Sequence, residues 1–506
     1  MVNCNPETVS TDYDTSDRLY FEPITYEDVM NVVEAESGTG GSLVGIVVSL
    51  GGQTPLKLAD RLPPELVLGT RPESIDAAED RNQWSAVCDA LDIPQPPGGT
   101  AVSVDEALTV AAEVGYPALV RPSYVLGGRA MELVYNDEDL TSAMKALGES
   151  GSLGREGGLS AERPVLIDRF LESAIEVDVD AIRDSGGHSI IGGVMEHVEE
   201  AGVHSGDSAC VLPPPTLSPA IISVLEDYTI RIADQLDVVG LINVQYAVKD
   251  GEVFVIEANP RASRTVPFVA KATGRPLAKI ASRVMVGASL DELRTDGLLP
   301  AEPVVGSWAV KEAVLPFNRF PETDALLGPE MRSTGEVMGI DVTPGLAFVK
   351  SQLGAGTKLP EAGAGVFMSL ADKDKEAGRE VAGLLVELGY KLVATAGTAE
   401  YLTSGGLTVD RIVERLDQGG INAVDLIESG EISMVINTPR GRGPRADGAY
   451  IRIAAGLNGV ALLTTVAAAR ATVRGLRDMT HQKLQVRSLQ AIHAAGTSGS
   501  DQVGGA

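Results

Sequence analysis

The apolar positions of the first 70 residues alternate between strand-like runs and helical spacing. Residues 24–36 repeat apolar side chains at helical spacing, with Thr25 in the N-cap position and acidic residues in the first turn. Residues 43–50 form an apolar run rich in Val and Ile that ends in two glycines, which is typical of a buried strand before a tight turn. A helix over 54–62 and a short strand over 66–69 follow. The pattern predicts βαβ pieces.

Residues 100 to 286 are predicted to contain more strand than helix. The apolar runs indicate strands at 118–121, 131–134, 165–170, 176–182, 189–195, 241–248 and 253–258, with helices at 103–114, 137–149 and 219–236. Because several strands follow one another as hairpins, we expect an α+β fold here. A continuous helix over 76–91 precedes this region. The glycine-rich stretch 148–163, which has no apolar periodicity, predicts a mobile loop.

The pattern changes near residue 360. The segments 365–370, 374–387, 391–394, 409–415, 422–429 and 434–437 alternate between strand and helix. This alternation predicts a small, doubly wound α/β domain with a parallel sheet. Before it, residues 287–359 read as a connector of short elements. After it, the Gly/Ser-rich tail from residue 496 is predicted to be disordered.

Charge is divided along the chain as unevenly as the periodicity. The 506 residues include 41 Lys and Arg against 70 Asp and Glu, a net charge of −29. Residues 360–506 hold 15 of the basic and 16 of the acidic residues, so residues 1–359 carry almost the whole excess. This division indicates two different units. An acidic chain lacks the basic face that binds nucleic acid or an anionic membrane, so neither is an expected partner.

The cysteines and the apolar runs bear on the compartment. Cys4, Cys88 and Cys210 lie far apart and form no CxxC pair, so we expect neither a zinc motif nor a disulfide framework. This fits a reducing cytosol and predicts a cytoplasmic location. No run of about 18 apolar residues predicts a transmembrane helix. The first residues lack the basic-then-apolar order of a signal peptide.

Two strand-like runs flanking Asp250-Gly251 form the first chemical constellation. Gln245, Glu257 and Asn259 are oxygen donors inside otherwise apolar strands, and such donors suit Mg²⁺ or Mn²⁺. A strict two-residue turn would put Gln245 and Glu257 on opposite faces, whereas a three-residue loop or a bulge would put them opposite each other. The metal interpretation predicts the longer loop. The alternative is an ordinary hairpin with solvated polar residues.

Two further segments concentrate polar residues. Arg121 ends a strand and is followed by Gly127-Gly128 and Arg129, a pattern that favours phosphate binding by amide and guanidinium donors. Residues 195–208 contain two histidines, three glutamates and an aspartate. Their spacing matches no common zinc motif. A metal site, a turn that contacts substrate and plain structural histidines all stay open for this segment.

Cationic and hydroxyl side chains follow the predicted metal ligands and return in the last domain. Arg261 and Arg264 would clamp an anionic substrate or a transferring phosphoryl group, or else form a surface pair. The strand ends of the last domain carry Lys373, Lys375, residues 395–398 and residues 437–442. Ligands bind at this edge of an open parallel sheet. The two interpretations of the last domain are a site for a phosphate-bearing small molecule and a set of solvated loops.

Several segments closely resemble the large chain of carbamoyl-phosphate synthase. They are residues 1–17, 51–55, 78–81, 121–124, 202–207, 259–261 and 328–336. The resemblance covers nearly the whole chain and is to the second of the two similar halves of that large chain. It implies a truncated, Rossmann-like pre-ATP-grasp subdomain at 1–75, an ATP-grasp domain at 76–286, a connector completing the synthetic module at 287–359, a methylglyoxal-synthase-like regulatory domain at 360–495 and a disordered tail at 496–506.

The resemblance also implies a role for each candidate residue. The implied ATP contacts are Arg81, Arg121, Arg169, Leu171, Glu176, Gly202, Val203, His204, Ser205, Gln245 and Glu257. Gln245, Glu257 and Asn259 would ligate Mg²⁺ or Mn²⁺, while Arg261 and Arg264 would stabilise carbamate and the transferred phosphate. The implied reaction is the in-line attack of a carbamate oxygen on the γ-phosphate of ATP, which makes carbamoyl phosphate for pyrimidine and arginine biosynthesis without a protein nucleophile.

Regulation and partners follow from the same resemblance. Lys375, Thr395, Thr398 and Arg415 would surround the phosphate of a UMP-like or IMP-like effector, although the family often has Lys where Arg415 stands. Residues that serve ornithine activation in some members match His197, Glu199, Asp207 and Glu312. The implied partners are the glutaminase small chain and the first half of the large chain.

The chain departs from the family pattern at its start. The Gly-rich strand–turn–helix that opens the family's second half would precede Met1, and the half that makes carboxyphosphate is absent. We therefore expect no synthesis from bicarbonate and glutamine by this chain alone. A non-catalytic module that binds only nucleotide effectors is a second hypothesis. A third, another ATP-grasp ligase such as a carboxylase subunit, is disfavoured by the last domain and by residues 328–336.

Overall fold

The computed structural model describes residues 1–122, 131–149, 164–300, 306–320, 322–416, 418–438 and 446–497. The predicted phosphate loop at 127–129, most of the stretch 148–163 and the arginines within 440–442 lie outside the described residues. The described chain forms sheets of two, four, seven and five strands, which confirms a mixed α/β architecture. None of its helices combines the length and the apolar character needed to cross a membrane.

The first 70 residues form a small unit around two parallel strands. Its elements are α1 (Tyr26–Ser37), β1 (Ile46–Val47), α2 (Gln53–Ala59) and β2 (Val67–Leu68). Helix α1 begins where the sequence predicted, because the Thr25 hydroxyl accepts the Asp28 backbone amide at 3.2 Å. Strand β1 is much shorter than the predicted run 43–50. The predicted βαβ topology is confirmed, because β1 and β2 pair in parallel. The predicted length of the first strand is wrong, because β1 has only two residues.

The predicted helix 76–91 is two helices. These are α3 (Pro72–Glu79) and α4 (Arg81–Ala90), which meet at Asp80. Asp80 has extended backbone angles, and its carboxylate accepts two amides of the first turn of α4 at 2.9 and 3.1 Å. An N-cap aspartate inside the apolar pattern therefore breaks the helix. The prediction of one continuous helix is wrong at this residue.

A four-stranded antiparallel sheet follows, with two helices packed on it. Its elements are β3 (Gly98–Ala101), α5 (Val104–Val114), β4 (Ala118–Pro122), β5 (Glu132–Val134), α6 (Asp137–Glu149) and β6 (Val165–Arg169). The strand order is β3-β6-β4-β5. Strand β3 was not predicted, because its two glycines hide the apolar pattern. Ala107 of α5 and Leu140 of α6 lie fully buried in the core between helices and sheet.

The largest sheet has seven strands and extends into the predicted connector. Its strands and neighbouring helices are β7 (Ile175–Arg183), β8 (Ser189–Glu200), β9 (Cys210–Leu212), α7 (Pro219–Gln235), β10 (Gly240–Lys249), β11 (Glu252–Asn259), α8 (Val266–Thr273), α9 (Leu277–Met285), α10 (Leu290–Thr295), β12 (Trp308–Val314) and β13 (Gly335–Asp341). The order is β11-β10-β7-β8-β9-β12-β13, and every neighbouring pair is antiparallel. Residues 308–314 and 335–341 of the predicted connector are therefore strands of this sheet.

The last domain is a five-stranded parallel sheet with helices. It is preceded by α11 (Pro344–Gly354) and consists of β14 (Gly365–Ser369), α12 (Lys375–Glu387), β15 (Lys391–Thr395), α13 (Ala396–Ser404), β16 (Arg411–Val413), α14 (Ala423–Glu428), β17 (Ile432–Asn437), α15 (Ala446–Leu457), β18 (Ala461–Leu463), α16 (Val466–His481) and α17 (Leu489–Thr497). The strand order β16-β15-β14-β17-β18 confirms the doubly wound prediction. Helix α17 extends to Thr497, one residue past the predicted start of the disordered tail.

The hydrophobic core continues across the charge division at residue 360. Phe348 of α11 lies in one buried cluster with Val310 of the seven-stranded sheet and with Val366 and Val473 of the last domain. Burial of apolar side chains is worth about 1.5–3 kcal/mol for each large residue, so a shared cluster of this kind holds the two sheets together. The last domain is consequently fixed against the larger sheet.

Candidate functional site

The β10–β11 hairpin resolves the question of register. Its turn is the tight two-residue Asp250-Gly251, with positive φ at both residues, and Lys249 pairs with Glu252. The predicted longer loop is therefore wrong. A bulge farther along the hairpin nevertheless shifts the register, so that Gln245 stands directly opposite Glu257. The juxtaposition that the metal interpretation required is present, and a bulge produces it.

Polar residues form two rows across one face of the seven-stranded sheet. In the first row Asp178 of β7 pairs with Gln245, which pairs with Glu257. The second row places Asp180, Asn243 and Asn259 in neighbouring positions on β7, β10 and β11. The sequence-based search missed Asp178, Asp180 and Asn243. The signal was the acidic residues at every second position of β7, which put Glu176, Asp178 and Asp180 on one face of an apolar strand.

Asp180 anchors the loop that carries the two candidate catalytic arginines. Its side chain is fully buried and accepts hydrogen bonds from Asn243 at 2.9 Å, from Ser263 at 2.9 Å and from Thr265 at 2.7 Å. Burial raises the pKa of Asp180 to about 6, and the three hydrogen bonds oppose that rise. The loop after β11 is therefore fastened to the centre of the sheet.

Arg261 and Arg264 differ in their surroundings. Arg261 donates to Asn259 Oδ1 at 2.9 Å and to the Ala262 carbonyl at 3.2 Å, while its buried Nε has no hydrogen-bond partner among the described residues. Burial lowers the pKa of Arg261, and Glu257 and Glu79 oppose this shift. Arg264 contacts the sulfur of Met331 instead. A phosphate oxygen beside Arg261 would satisfy its unpaired donor.

The predicted metal ligands lie together and supply the right kind of donor. Glu257 Oε1 accepts a hydrogen bond from the side-chain Nδ2 of Asn259 at 3.0 Å, and Gln245 Nε2 donates to Ser205 Oγ at 3.2 Å. Asp178 Oδ1, in the same row, is buried without a hydrogen-bond partner among the described residues. An unpaired buried carboxylate oxygen is an acceptor that a nearby cation would satisfy. Oxygen donors of this kind fit Mg²⁺ or Mn²⁺. The described residues contain no cluster of three His, Cys, Asp or Glu side chains with metal-site geometry.

The predicted nucleotide loop lies at the same end of the sheet. The loop follows β8, and Gly202 has the positive φ of 99° that favours glycine. The Gly202 amide donates to Glu176, whose pKa burial raises to about 7 while His197 acts in the opposite direction. The amide of His204 donates to the Gly328 carbonyl at 2.9 Å, and the amide of Val203 donates to a carbonyl at the end of β8. Residues 202–205 and Gln245 therefore meet at Ser205.

The remaining predicted ATP contacts lie around β4 and β6. Asp168 accepts a hydrogen bond from Arg81 and another, at 3.2 Å, from Nε of Arg121. Arg169 ends β6, and its backbone amide donates to the Pro97 carbonyl at 2.7 Å. Leu171 follows within the link to β7. Asp168 thus brings two of the predicted arginines together, a pairing that sequence spacing alone did not reveal.

The predicted effector residues cluster at the carboxyl edge of the parallel sheet. Thr395 ends β15 and donates to Thr398 at 3.2 Å. Thr398 is buried and accepts the Leu370 amide at 3.0 Å. Lys375 begins α12, forms an ion pair with Asp372 at 2.8 Å and lies 3.9 Å from the position that a β-carbon on Gly397 would take. Lys375 is therefore close to the start of α13.

Arg415 follows β16, the strand that pairs with β15 at the same sheet edge. It stands two residues beyond β16, is largely exposed, and has its Nε 3.8 Å from the carboxylate of Asp447 on α15. Arg415 therefore lies beyond the same edge of the sheet as Lys375, Thr395 and Thr398. The structure joins Thr395 and Thr398 by a hydrogen bond, places Lys375 beside Gly397 and leaves Arg415 largely exposed.

Two carboxylates lie close together, the partly buried Glu199 on β8 and the buried Glu312 on β12. Glu199 accepts Ser208 Oγ at 2.7 Å and the Ala209 amide at 2.6 Å, and Glu312 accepts Gln352 Nε2 at 2.7 Å. Burial, reinforced by Glu199, raises the pKa of Glu312 to about 8. Two of the four residues that the resemblance linked to ornithine are therefore neighbours.

Replacing Glu312 by glutamine should make the protein relatively more stable as the pH rises. The folded-state pKa of about 8 lies above the ordinary value of 4.5, so the folded wild type holds a proton that the unfolded chain releases. Stability from this group is complete below about pH 4.5 and lost by pH 8. Urea unfolding should therefore show that the free energy of unfolding of Glu312→Gln, relative to wild type, increases from pH 5 to pH 8. The increase is at most ~1.4 kcal/mol per pKa unit. Exposed Glu336→Gln is the control, and an equal trend in both variants would contradict the expectation.

Comparison of the fold with solved structures defines the class of protein. The chain is similar to the biotin carboxylase domain of Hydrogenobacter thermophilus 2-oxoglutarate carboxylase, with a TM-score of 0.53 and 15% identity over 67% of this chain and 80% of that one. That structure contains MgADP, ADP and bicarbonate. N5-carboxyaminoimidazole ribonucleotide synthetase from Thermus thermophilus gives a TM-score of 0.52 and 18% identity over 71% of this chain and 92% of that one. The fold is that of an ATP-grasp protein.

Sequence comparison narrows the class to a family. Three family descriptions match: the carbamoyl phosphate synthase preATP-grasp domain at residues 1–77, the carbamoyl-phosphate synthase L chain ATP binding domain at 80–293 and the MGS-like domain at 379–464. The chain belongs to the carbamoyl phosphate synthase large-chain family. It is 53% identical to the large chain of Archaeoglobus fulgidus and 49% identical to that of Nostoc sp., in each case over 97% of this chain. It spans 44% and 46% of the length of those relatives.

Proposed function

We propose that this chain phosphorylates carbamate with ATP to give carbamoyl phosphate, the later ATP-consuming step of glutamine-dependent carbamoyl phosphate synthesis. The observation that carries the proposal is the bulged hairpin, which puts Gln245 opposite Glu257 and continues through Asn259 into the arginine loop. The family's ATP-binding domain, matched at residues 80–293, supports a nucleotide substrate. The product would feed pyrimidine and arginine biosynthesis.

The proposed division of labour follows the geometry of the site. Residues 202–205, with Glu176, bind the nucleotide, and Gln245, Glu257 and Asn259 hold Mg²⁺ or Mn²⁺. A divalent cation held by these residues would supply counter-charge for the phosphates of the nucleotide. A carbamate oxygen attacks the γ-phosphorus in line, and the bond to the β-phosphate oxygen breaks to release ADP. Arg261 and Arg264 stabilise the charge on the transferring group. The chemistry requires no protein nucleophile, because the chain contributes position and charge.

The reverse reaction tests this proposal without the first half of the large chain. Purified protein, MgCl₂, ADP and carbamoyl phosphate should produce ATP, which a luciferase assay measures directly. The same mixture without divalent metal should produce none, because the phosphates would lack their counter-charge. A folded protein, verified by circular dichroism, that makes no ATP under these conditions would contradict the proposed activity.

We also propose that the last domain binds a UMP-like or IMP-like nucleotide. The cluster of Lys375, Thr395 and Thr398 at the carboxyl edge of a parallel sheet supports a phosphate site, and Arg415 on the rim supplies further charge. Calorimetry with UMP and IMP tests the site. Binding of either nucleotide in a protein that fails to bind MgADP would favour the second candidate function, a non-catalytic effector module.

Other proposed ligands and partners extend beyond this chain. The carboxylates Glu199 and Glu312 favour a cationic amine such as ornithine, and His197 and Asp207 lie in the adjoining segment. Ammonia from a glutaminase small chain and carbamate made by the first half of the large chain would complete the pathway. Ammonia- or glutamine-dependent synthesis restored by adding those two components would test this partnership.

A further inference from the structure

One segment that resembles the family has no role in the chemistry derived above. Within it, Gly328, Arg332 and Ser333 contact the candidate nucleotide loop directly. The Gly328 carbonyl accepts the His204 amide at 2.9 Å. The amides of Arg332 and Ser333 donate to the two carboxylate oxygens of Asp207 at 2.7 and 2.8 Å. Ser333 Oγ also donates to the Gly206 carbonyl at 3.2 Å. These contacts fix one end of the segment to residues 204–207.

The residues just before this segment are attached to the last domain through Asp324. Asp324 accepts two hydrogen bonds from the guanidinium of Arg452 on α15, at 2.6 and 2.5 Å. The Arg452 side chain is only 8% exposed, and it donates a third bond at 2.6 Å to Asn437, the last residue of β17. Asn437 lies at the carboxyl edge of the sheet where Thr395 also ends a strand. Arg452 therefore joins the candidate effector edge to Asp324.

Residues 324–333, here called the bridging segment, are held together internally. Arg332 donates to the Asp324 carbonyl at 3.2 Å, and the Leu326 amide donates to Asp324 Oδ1 at 3.1 Å. The Arg452 guanidinium lowers the pKa of Asp324 despite its partial burial, which indicates a carboxylate that stays charged. A displacement at Arg452 would be transmitted to Asp207 through one short piece of chain.

A second contact between the domains is weaker on physical grounds. Lys373 pairs with Glu200 at 3.1 Å, but both side chains are about 40% exposed. Exposed pairs contribute little to stability and are screened by salt. A bidentate pair on a buried arginine is held in one geometry by more bonds and by less water. The bridging segment is therefore the stronger of these two links.

We propose that the bridging segment positions the nucleotide loop and makes its position depend on the last domain through the Asp324–Arg452 pair. This inference rests on the proposed function and assigns its regulation to particular residues. A ligand at the edge formed by Thr395 and Asn437 would strengthen or weaken the Arg452 contacts. Through Asp324 and Asp207 it would change the affinity of residues 202–205 for nucleotide. Coupling between two ligand sites is typically about 5–150-fold in affinity.

The test replaces Asp324 by asparagine, which keeps the shape and removes the charge. Calorimetry should show about 10-fold weaker MgADP binding, and loss of any change that saturating UMP or IMP produces in wild-type affinity. Arg452→Lys, which retains charge but not the paired bonds, should give an intermediate effect. The matched control is Asp234→Asn, since Asp234 also binds a buried arginine, Arg183 at 2.7 Å, away from the segment.

Hydrogen exchange supplies a measurement that does not need activity. Residues 202–208 should exchange faster in Asp324→Asn than in wild type, and at the wild-type rate in Asp234→Asn. Wild-type protein that binds no MgADP would contradict the proposed function and leave the exchange comparison to decide the positioning role. A wild type unaffected by UMP and IMP would contradict only the regulatory part. The inference would be overturned if Asp324→Asn showed the same exchange rates at residues 202–208 and the same MgADP affinity as wild type.

Discussion

Glu257→Ala is expected to abolish metal-dependent ATP formation, with a loss on the order of 10³-fold. Glu257 is the single carboxylate among the three proposed metal ligands and stands opposite Gln245 through the bulge. Without it, the site would keep two amides, which are weaker ligands for a hard divalent cation. ATP formation from ADP and carbamoyl phosphate, measured over a Mg²⁺ titration, checks the expectation. MgADP binding should weaken, whereas metal-free ADP binding should stay near the wild-type value.

The control for this prediction is Glu252→Ala on the same strand. Glu252 pairs with Lys249 beside the turn, is exposed and lies away from the polar rows. Its replacement removes the same side chain from the same hairpin, so the two variants should unfold at similar temperatures. An unchanged Mg²⁺ dependence in Glu257→Ala would exclude this residue as a ligand. Equal losses in both variants would indicate damage to the hairpin as a whole.

The hairpin illustrates what the sequence could and could not predict. Asp250-Gly251 correctly predicted a hairpin, and the turn is tight rather than the predicted longer loop, because both residues adopt the positive φ of a two-residue turn. The choice between loop and bulge depends on how β11 packs across the whole sheet, and no local sequence signal reports that packing. The sequence could therefore say only that metal binding would require Gln245 opposite Glu257. It could not show that the two residues pair.

Long-range contacts explain the other differences. Asp80 reads as one more polar position in an amphipathic pattern until its carboxylate is seen to accept the amides of α4. Strands β12 and β13 read as a connector because β12 joins the sheet through β9, which is about a hundred residues earlier in sequence, and β13 joins it only through β12. The parallel sheet of the last domain was predicted except for β18 (Ala461–Leu463), since its other strands alternate locally with helices. The attachment of that domain through Arg452 left no trace in the sequence pattern.

The buried polar residues of the site favour a function in which a ligand completes their bonding. Asp178 Oδ1 and Arg261 Nε are both buried without hydrogen-bond partners among the described residues. Leaving such a group unpaired costs about 1–3 kcal/mol, more when it is charged. The two atoms differ in what they need: Oδ1 of Asp178, whose Oδ2 already pairs with His197 Nε2 at 3.2 Å, needs a donor or a cation, and Nε of Arg261 needs an acceptor such as an anion. A metal–phosphate ligand provides both, and an isolated effector-binding module would leave both costs without compensation.

Arg261→Met is the second large effect that we expect. Its fixed guanidinium, held by Asn259 and the Ala262 carbonyl, would direct its free Nε–H at the transferring phosphoryl group. Losing one such donor typically lowers kcat by about 10²–10³-fold. Arg261→Lys should recover only part of this loss, because an ammonium group cannot reproduce the planar fork. The affinity for MgADP should stay within about twofold of wild type, since residues 202–205 hold the nucleotide.

The contrast between turnover and nucleotide affinity distinguishes a charge clamp from a structural residue. Methionine keeps most of the apolar stem of Arg261. If Arg261 only packs, the substitution should therefore have no effect or should lower stability, and it should not lower kcat selectively. Arg283→Met, on the exposed face of α9, controls for the loss of a cation and should leave kcat unchanged. Parallel losses of MgADP affinity and kcat in Arg261→Met would place the residue in nucleotide binding. A wild-type kcat in Arg261→Met would show that Arg261 is not catalytic. Arg264, which contacts Met331 of the bridging segment, would then be the residue that stabilises the phosphoryl group.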